Sequence, residues 1–556
     1  MVIQYIQSLG HHGIFSVKRL KRTTSHLSVG MFFLLLFPTL LYPAKAQKID
    51  QDALQSVEMP VGYYTKELRA IDDQKLLKII EDFKAASIDP NQSMNLSLDQ
   101  CISLAFANNP SLKAQIETLK TTRDSFIAAS RSWNPTASIR GGSNATNRNE
   151  NKINHTETLN SQVVSQEYTT SSSNSYPQRI AGELSWKFLD FTRQPRIDAA
   201  VSEYTADRYG FYNFSRQLVF EIQETYYRML AQQELIKSFE IVAEAVKSTL
   251  LLTDSRFEAG RDHLGNLGQI HAQYYSTLSE LTGYIENYYQ LSNKLARLVS
   301  LPGEPLILAE GENQFVGEWI FGLEESIDLA QLNNDRVLRT LELAKRYNSE
   351  GIAELNRTLP SFSLTSAANL SNTPSDSYTF GKTSTSGSKI ASTNKTEKPK
   401  RFSFSSSASY DISAGISFDW NFYQGGVNNA RASSLFARSK SEEFNAQDLR
   451  DQLIADVRTS INALKANRLK YLSSDAAAQS ARISYIAEIA RFNAGLSDVT
   501  TINQLVRIYQ TAIQVETRAI QQYNIRLASL YRDTAVWPQE AEGLALELLK
   551  ATGLPR

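Results

Sequence analysis

Leu98, Ile102, Leu104, Ala105, Asn108, Asn109 and Pro135 recur 225 positions later as Leu323, Ile327, Leu329, Ala330, Asn333, Asn334 and Pro360. A second block, Leu184-Ser185-Trp186-Lys187-Phe188, answers to Ile416-Ser417-Phe418-Asp419-Trp420 at a spacing of 232. A third pairs Arg256-Phe257-Glu258-Ala259-Gly260 with Arg491-Phe492-Asn493-Ala494-Gly495 at 235, with Gln269 and Gln504 in the same register. Three blocks in one order with a slowly drifting offset mark a duplicated unit, so the fold has to be one that can be built twice. Each copy reads helix, strand, loop, strand, long helix, glycine turn, helix.

The long helices set the proportions. From Pro195 to Ala259 no further proline intervenes and Gly210 is the one glycine, which permits a helix about 100 Å long at 1.5 Å per residue. Leu218, Ile222, Thr225, Met229, Ile236, Phe239, Ala243, Val246, Leu250 and Phe257 keep the three-four spacing of a coiled-coil seam. Leu453, Val457, Leu464, Tyr471, Ala478, Tyr485, Ile489 and Phe492 repeat it between Asn428 and Ala494. Each run ends at Ala-Gly, where glycine can take the left-handed conformation that stops a helix. Asp262 or Asp498 then stands ready to cap the returning helix, Leu267 to Leu301 or Thr501 to Asp533. Two antiparallel coiled-coil hairpins per chain follow.

The strands argue for a membrane barrel shared between chains, although a half-buried sheet in a soluble protein gives the same alternation. Ile416, Phe418, Trp420 and Phe422 alternate with Ser417, Asp419, Asn421 and Tyr423, and Leu184, Trp186 and Phe188 alternate with Ser185 and Lys187. The opening strands, near Thr136 to Arg140 and Ser361 to Leu370, carry the pattern less clearly. Four strands cannot close a barrel, and an open sheet in lipid leaves edge N–H and C=O groups unpaired at several kcal/mol each. Three chains would supply twelve strands, an allowed even number. Gly141 to Ile180 and Ser371 to Ser409, rich in Ser, Thr and Asn, read as long outward loops.

The first 46 residues hold Lys18, Arg19, Lys21, Arg22 and Lys45 but no acid, around an apolar run from Val29 to Tyr42 and before Ala44-Lys45-Ala46. This is the layout of a secretory signal. The whole chain has 58 basic and 58 acidic residues, so removing five basic ones leaves about −5, with no basic surplus for nucleic acid. Cys101, the one cysteine, reads as a small buried hydrophobe and can form no disulfide within the chain. His155, His263 and His271 lie at no metal-ligand spacing, and no nucleophile or acid/base constellation stands out. Gly381-Lys382-Thr383 lacks the earlier glycine of a phosphate-binding loop, since that position holds Asp376. No cofactor, metal or catalytic residue is therefore expected, and the chain is read as a non-enzyme.

Taken in order, Leu98 to Pro110 with its Ala105-x-x-Asn108-Asn109-Pro110 ending, Trp133-Asn134-Pro135, Trp420-Asn421-Phe422-Tyr423-Gln424-Gly425-Gly426 and the two Arg-Phe-x-Ala-Gly turns resemble the TolC-like outer-membrane efflux proteins over Leu96 to Trp537. The resemblance implies an α+β membrane protein. Four strands per chain would contribute to a trimeric twelve-stranded barrel in outer-membrane lipid, and long antiparallel coiled coils would form an α-barrel across the periplasm. It also implies a homotrimer working with a periplasmic adaptor and an inner-membrane transporter of RND, ABC or MFS type, in efflux or type I secretion. In that family the hairpin tips form a closable iris, which places Gly260 and Gly495 at tip turns open to an adaptor. Some members carry acids six and nine positions beyond the turn glycine. This chain has Thr501 and Gln504 there, and Asn266 and Gln269 in the first copy, so a carboxylate ring at those places is doubtful. Asp498 remains a candidate for the pore constriction, with helix capping as the alternative. Trp186, Phe188, Phe418, Trp420 and Phe422 are assigned to the lipid face.

The expected divisions are a leader at 1–46, a periplasmic extension at 47–95 with an amphipathic piece near Leu76 to Ala85, repeats at 96–310 and 311–537, and a peripheral tail at 538–556. The rival reading is an exported coiled-coil structural protein or adhesin without a pore.

Overall fold

A computed structural model describes residues 75, 77–81, 93–143, 147–159, 162–301, 303, 305–386, 393–397 and 400–552, all within one compact unit, Tyr64–Arg556. The expected leader and most of the 47–95 extension lie outside them. In chain order the elements are β1 (Ser93–Leu96), α1 (Leu98–Asn108), α2 (Pro110–Ser130), β2 (Thr136–Ser143), β3 (Asn147–Leu159), β4 (Gln162–Ser175), β5 (Gln178–Leu189), α3 (Arg193–Glu258) and α4 (Leu264–Val299). Then follow β6 (Leu306–Ala309), α5 (Leu323–Asn333), α6 (Asp335–Asn356), β7 (Ser361–Ser386), β8 (Thr393–Glu397), β9 (Arg401–Asp419), α7 (Val427–Asn493), α8 (Val499–Asp533) and α9 (Leu544–Ala551).

The repeat seen in the residues is a repeat of elements. Helices α1 and α5 both have 11 residues, α2 and α6 have 21 and 22, α3 and α7 have 66 and 67, and α4 and α8 have 36 and 35. The recurring asparagines explain the shared break. Asn109 accepts from the Leu112 N–H while its Nδ2 donates to the Leu298 carbonyl at 2.8 Å, and Asn334 accepts from the Arg336 N–H while donating to the Asp533 carbonyl at 2.9 Å. One amide thus caps the start of one helix and satisfies an orphan carbonyl at the end of another. Pro110, at the first helical position, has no N–H to lose. The strand-closing tryptophans match too: Trp186 Nε1 donates to the Trp133 carbonyl and Trp420 Nε1 to the Thr358 carbonyl.

The expected seam lies inside. Leu218, Ile222, Met229, Phe239, Val246 and Leu250 on α3, and Leu453, Val457, Leu464, Tyr485 and Phe492 on α7, are buried. One apolar cluster joins α1, α2 and the strand-proximal halves of α3 and α4, a second joins the tip halves of both hairpins, and a third joins α5, α7 and α8. Leu77 and Ile80 of the short helical piece pack against the second cluster.

Two expectations are corrected here. Over their described residues the stretches read as loops are mostly strand: β7 runs 26 residues, β9 runs 19, and β3, β4 and β8 extend the described sheet to seven strands. Serine and threonine give little apolar alternation, so the pairing that holds these residues was invisible in a hydrophobicity pattern. The tail is not peripheral either, since Ala541, Ala545 and Leu549 are buried in the first cluster.

Candidate functional site

The residues singled out in the sequence gather in two places in the fold, the sheet and the hairpin tips. In the sheet, β2-β5-β7-β9 stand side by side, antiparallel throughout. Residues directly opposite one another share a face, and the registers stack into rows. Ile180, Leu370 and Tyr410 form one, and Ile139, Gly182, Ala368 and Ile412 the next. Ala137, Leu184, Ser366 and Ala414 follow, then Trp186, Leu364 and Ile416, then Phe362 and Phe418. This apolar face is open: Ile139 is 85% exposed, Tyr410 84% and Ile412 76%. The opposite face carries Arg140, Arg179, Glu183, Lys187, Asp411 and Asp419 among Ser and Thr. Farther along β7, that polar face is lined by hydroxyls, with Ser371, Ser375 and Ser377 each within hydrogen-bond distance of Ser409, Ser405 and Ser403. Neither the outer edge of β2 nor that of β9 has a partner among the described residues. The residues assigned to the lipid face all lie on or continue the apolar side. Trp186, Phe418, Trp420 and Phe422 are exposed, whereas Phe188 is half-buried between Trp186 and Phe362.

At the other end, each long helix stops in one geometry. Gly260 has φ +70° and Gly495 φ +74°. The Gly260 and Gly495 N–H groups donate to Phe257 and Phe492, and the Arg261 and Leu496 N–H groups donate to Arg256 and Arg491. This is the Schellman pattern, and glycine supplies the left-handed residue it requires.

The starts of the returning helices differ. Asp498 accepts from the Thr501 N–H at 2.9 Å and from its hydroxyl at 2.8 Å, which holds this carboxyl below the usual aspartate range. Asp262 does not cap α4, because its carboxylate receives the His263 N–H and the Asn266 side-chain amide. His263 Nδ1 accepts the Asn266 N–H in its place at 3.2 Å. Gln269 and Gln504 are exposed, Thr501 and Asn266 half-buried, and Gln269 accepts from the Thr500 hydroxyl across the two tips.

Above the tips a polar seam joins the returning helices. Arg507 donates to Gln273, Gln273 to Gln510, Gln510 to the Thr277 hydroxyl, and Gln514 to Glu280 and Tyr284. Gln273, Thr277 and Gln510 are buried, and burial raises the Glu280 carboxyl above its ordinary range, with the Gln514 bond opposing. Arg256 ties the tips together: its guanidinium lies 4.3 Å over the Phe492 ring and donates to the Phe492 carbonyl. Sequence reasoning placed Arg256 in a turn motif without a role. Its only signal was recurrence four residues before the turn glycine in both copies, and the seam glutamines, scattered on helix faces, gave none. Among the described residues no group of His, Cys, Asp and Glu gathers as a metal site, and no helix is long and apolar enough to cross a membrane.

Residues 101–301 match the family model described as outer membrane efflux protein. That segment, a little over a third of the chain, is what this protein shares with the family. No curated protein matches the chain. Solved structures share the fold well beyond the segment. The CmeC outer membrane channel of Campylobacter jejuni is 15% identical with a TM-score of 0.63, over 82% of this chain and 90% of that one. The open-state MtrE outer membrane channel of Neisseria gonorrhoeae is 15% identical with a TM-score of 0.59, over 79% and 88%. The VceC outer membrane protein of Vibrio cholerae is 14% identical with a TM-score of 0.56, over 79% and 95%. The TolC-like fold is thus common to the chain and these channels.

Proposed function

We propose that this chain is an outer membrane efflux protein, one third of a trimeric channel, seated in the outer membrane by its sheet and reaching through the periplasm with its helical hairpins. The observation that carries the reading is the exposed apolar face of β2-β5-β7-β9 between two unpartnered edges. The rows from Phe362 to Leu370 take in nine residues of β7, within the length of about 9–11 residues that a tilted strand needs to cross a bilayer. The polar face then surrounds water. Three copies pair the edge of β9 with the edge of β2 and make twelve strands, which removes every unpaired backbone group from the hydrocarbon. A solvated spacer or adhesin has no use for such a face.

The channel is passive, and export is driven by an inner-membrane transporter reached through a periplasmic adaptor that docks at the tips around Gly260 and Gly495. The leader at 1–46 directs export, and 96–310 and 311–537 are the two repeats of the tunnel. Gating resides in the tip halves, where the α4 to α8 seam and the Arg256 clasp hold the hairpins of one chain together. Asn266, Gln269, Asp498, Thr501 and Gln504 stand nearest the constriction, which carries little charge beyond Asp498. Purified protein in planar lipid bilayers gives discrete conductance steps and runs as a trimer on native gels. A stable monomer, or a protein silent in bilayers, rejects the channel and leaves the spacer.

A further inference from the structure

The clasp between the tips occurs once within the chain, although the residues that make it occur twice. Arg256 stands in the last turn of α3, and Phe492 in the last turn of α7. The guanidinium covers the Phe492 ring and donates to the Phe492 carbonyl, placing a cation at the negative end of α7 and leaving the ring 1% exposed. The duplication gives the same two positions in the opposite sense, Arg491 on α7 and Phe257 on α3, in turns with identical backbone hydrogen bonds. Here the cover is missing. The Arg491 side chain is 63% exposed and 3.8 Å from Glu488, and Phe257 is only half-buried.

A ring closed by three copies has six junctions between hairpin tips, three within chains and three between them. Within a chain the first hairpin offers the arginine and the second the phenylalanine. Continuing round the ring, the second hairpin offers its arginine to the first hairpin of the next copy. We infer that Arg491 of each copy closes over Phe257 of the neighbouring copy, repeating between chains the clasp that Arg256 makes within one. The partner is a second copy of this chain, and the contact is head-to-tail, so three of them close a ring. The inference rests on the trimeric reading above.

Full-length protein carrying Arg491→Cys with Phe257→Cys, treated with a short bismaleimide, tests it. The buried Cys101 serves as background in the unsubstituted protein, and Arg256→Cys with Phe492→Cys is the internal control. The first pair yields covalent dimers and trimers on denaturing gels, and the control links within single chains. A trimer on native gels that gives no covalent multimers, while the control links, overturns the clasp and leaves the trimer standing. Absence of a trimer on native gels overturns the trimeric reading, and the clasp with it. Independently, Arg491→Gln keeps the trimer and raises the open fraction in bilayers at least about threefold, from the loss of a cation over a ring. Unchanged gating in that variant also overturns the clasp.

Discussion

At the scale of single residues, the two tips are alike in how their helices end and unlike in how the next helices begin. Gly495 holds its turn at φ +74°, and the nearest atom to an added Cβ would be an Arg256 nitrogen at 4.0 Å. Gly495→Ala therefore meets backbone strain with little crowding, and costs about 1 kcal/mol at the tip. Hydrogen exchange should show this as several-fold weaker protection confined to Gly495 and Leu496, with the trimer intact. The caps use different acceptors. The Asp498 carboxyl is held low, so its cap is present above the ordinary aspartate range and is lost only as pH falls through that lowered value. His263 accepts through Nδ1, a role open only to a neutral ring, with the Asp262 carboxylate bonded to its backbone N–H. His263→Ala should therefore speed exchange at the Asn266 amide and spare Thr501, and His263→Asp should restore the protection. Equal responses at both amides would show that the caps do not limit opening there.

At the scale of elements, the returning helices are joined by polar groups where a coiled coil would ordinarily place apolar ones. Gln510 both accepts from Gln273 and donates to Thr277, and all three are buried. Replacing Gln510 by Leu strands the Gln273 side-chain amide, while Thr277 keeps its bond to the Gln273 carbonyl, at a cost of roughly 1–3 kcal/mol. If the seam holds the hairpins closed, this variant opens more often in bilayers while its helix content is unchanged. An unaltered open fraction would mean that the seam serves packing alone. Hairpin lengths, seam and turns were legible because helix periodicity, proline absence and Ala-Gly stops are local signals. The strands β3, β4 and β8 were not, because hydroxyl-rich strands declare themselves only through neighbours.

At the scale of the whole molecule, the sheet presents an exposed apolar face and, among the described residues, neither of its edge strands β2 and β9 has an outer partner. Ile412, in the middle of the exposed rows, and Ser413, on the other face, are adjacent in sequence and opposite in environment. Ile412→Arg should destabilise the lipid-inserted protein by about 2–4 kcal/mol, whereas Ser413→Arg should be near neutral. Guanidinium unfolding from vesicles measures both, and equal effects would place neither face in lipid.

The residues alone determined the duplication, the two long hairpins, the glycine stops and the shortage of strands for a barrel, since each depends on spacing along one chain. The tertiary structure decided which distant residues meet: Arg256 on Phe492 and Gln273 with Gln510 between the copies, the asparagine amides spanning two helix ends within each copy, and the tail buried in the first core. Those contacts link positions some 200 residues apart, and no local periodicity encodes such pairings, because a side chain's partner across a fold is fixed by packing.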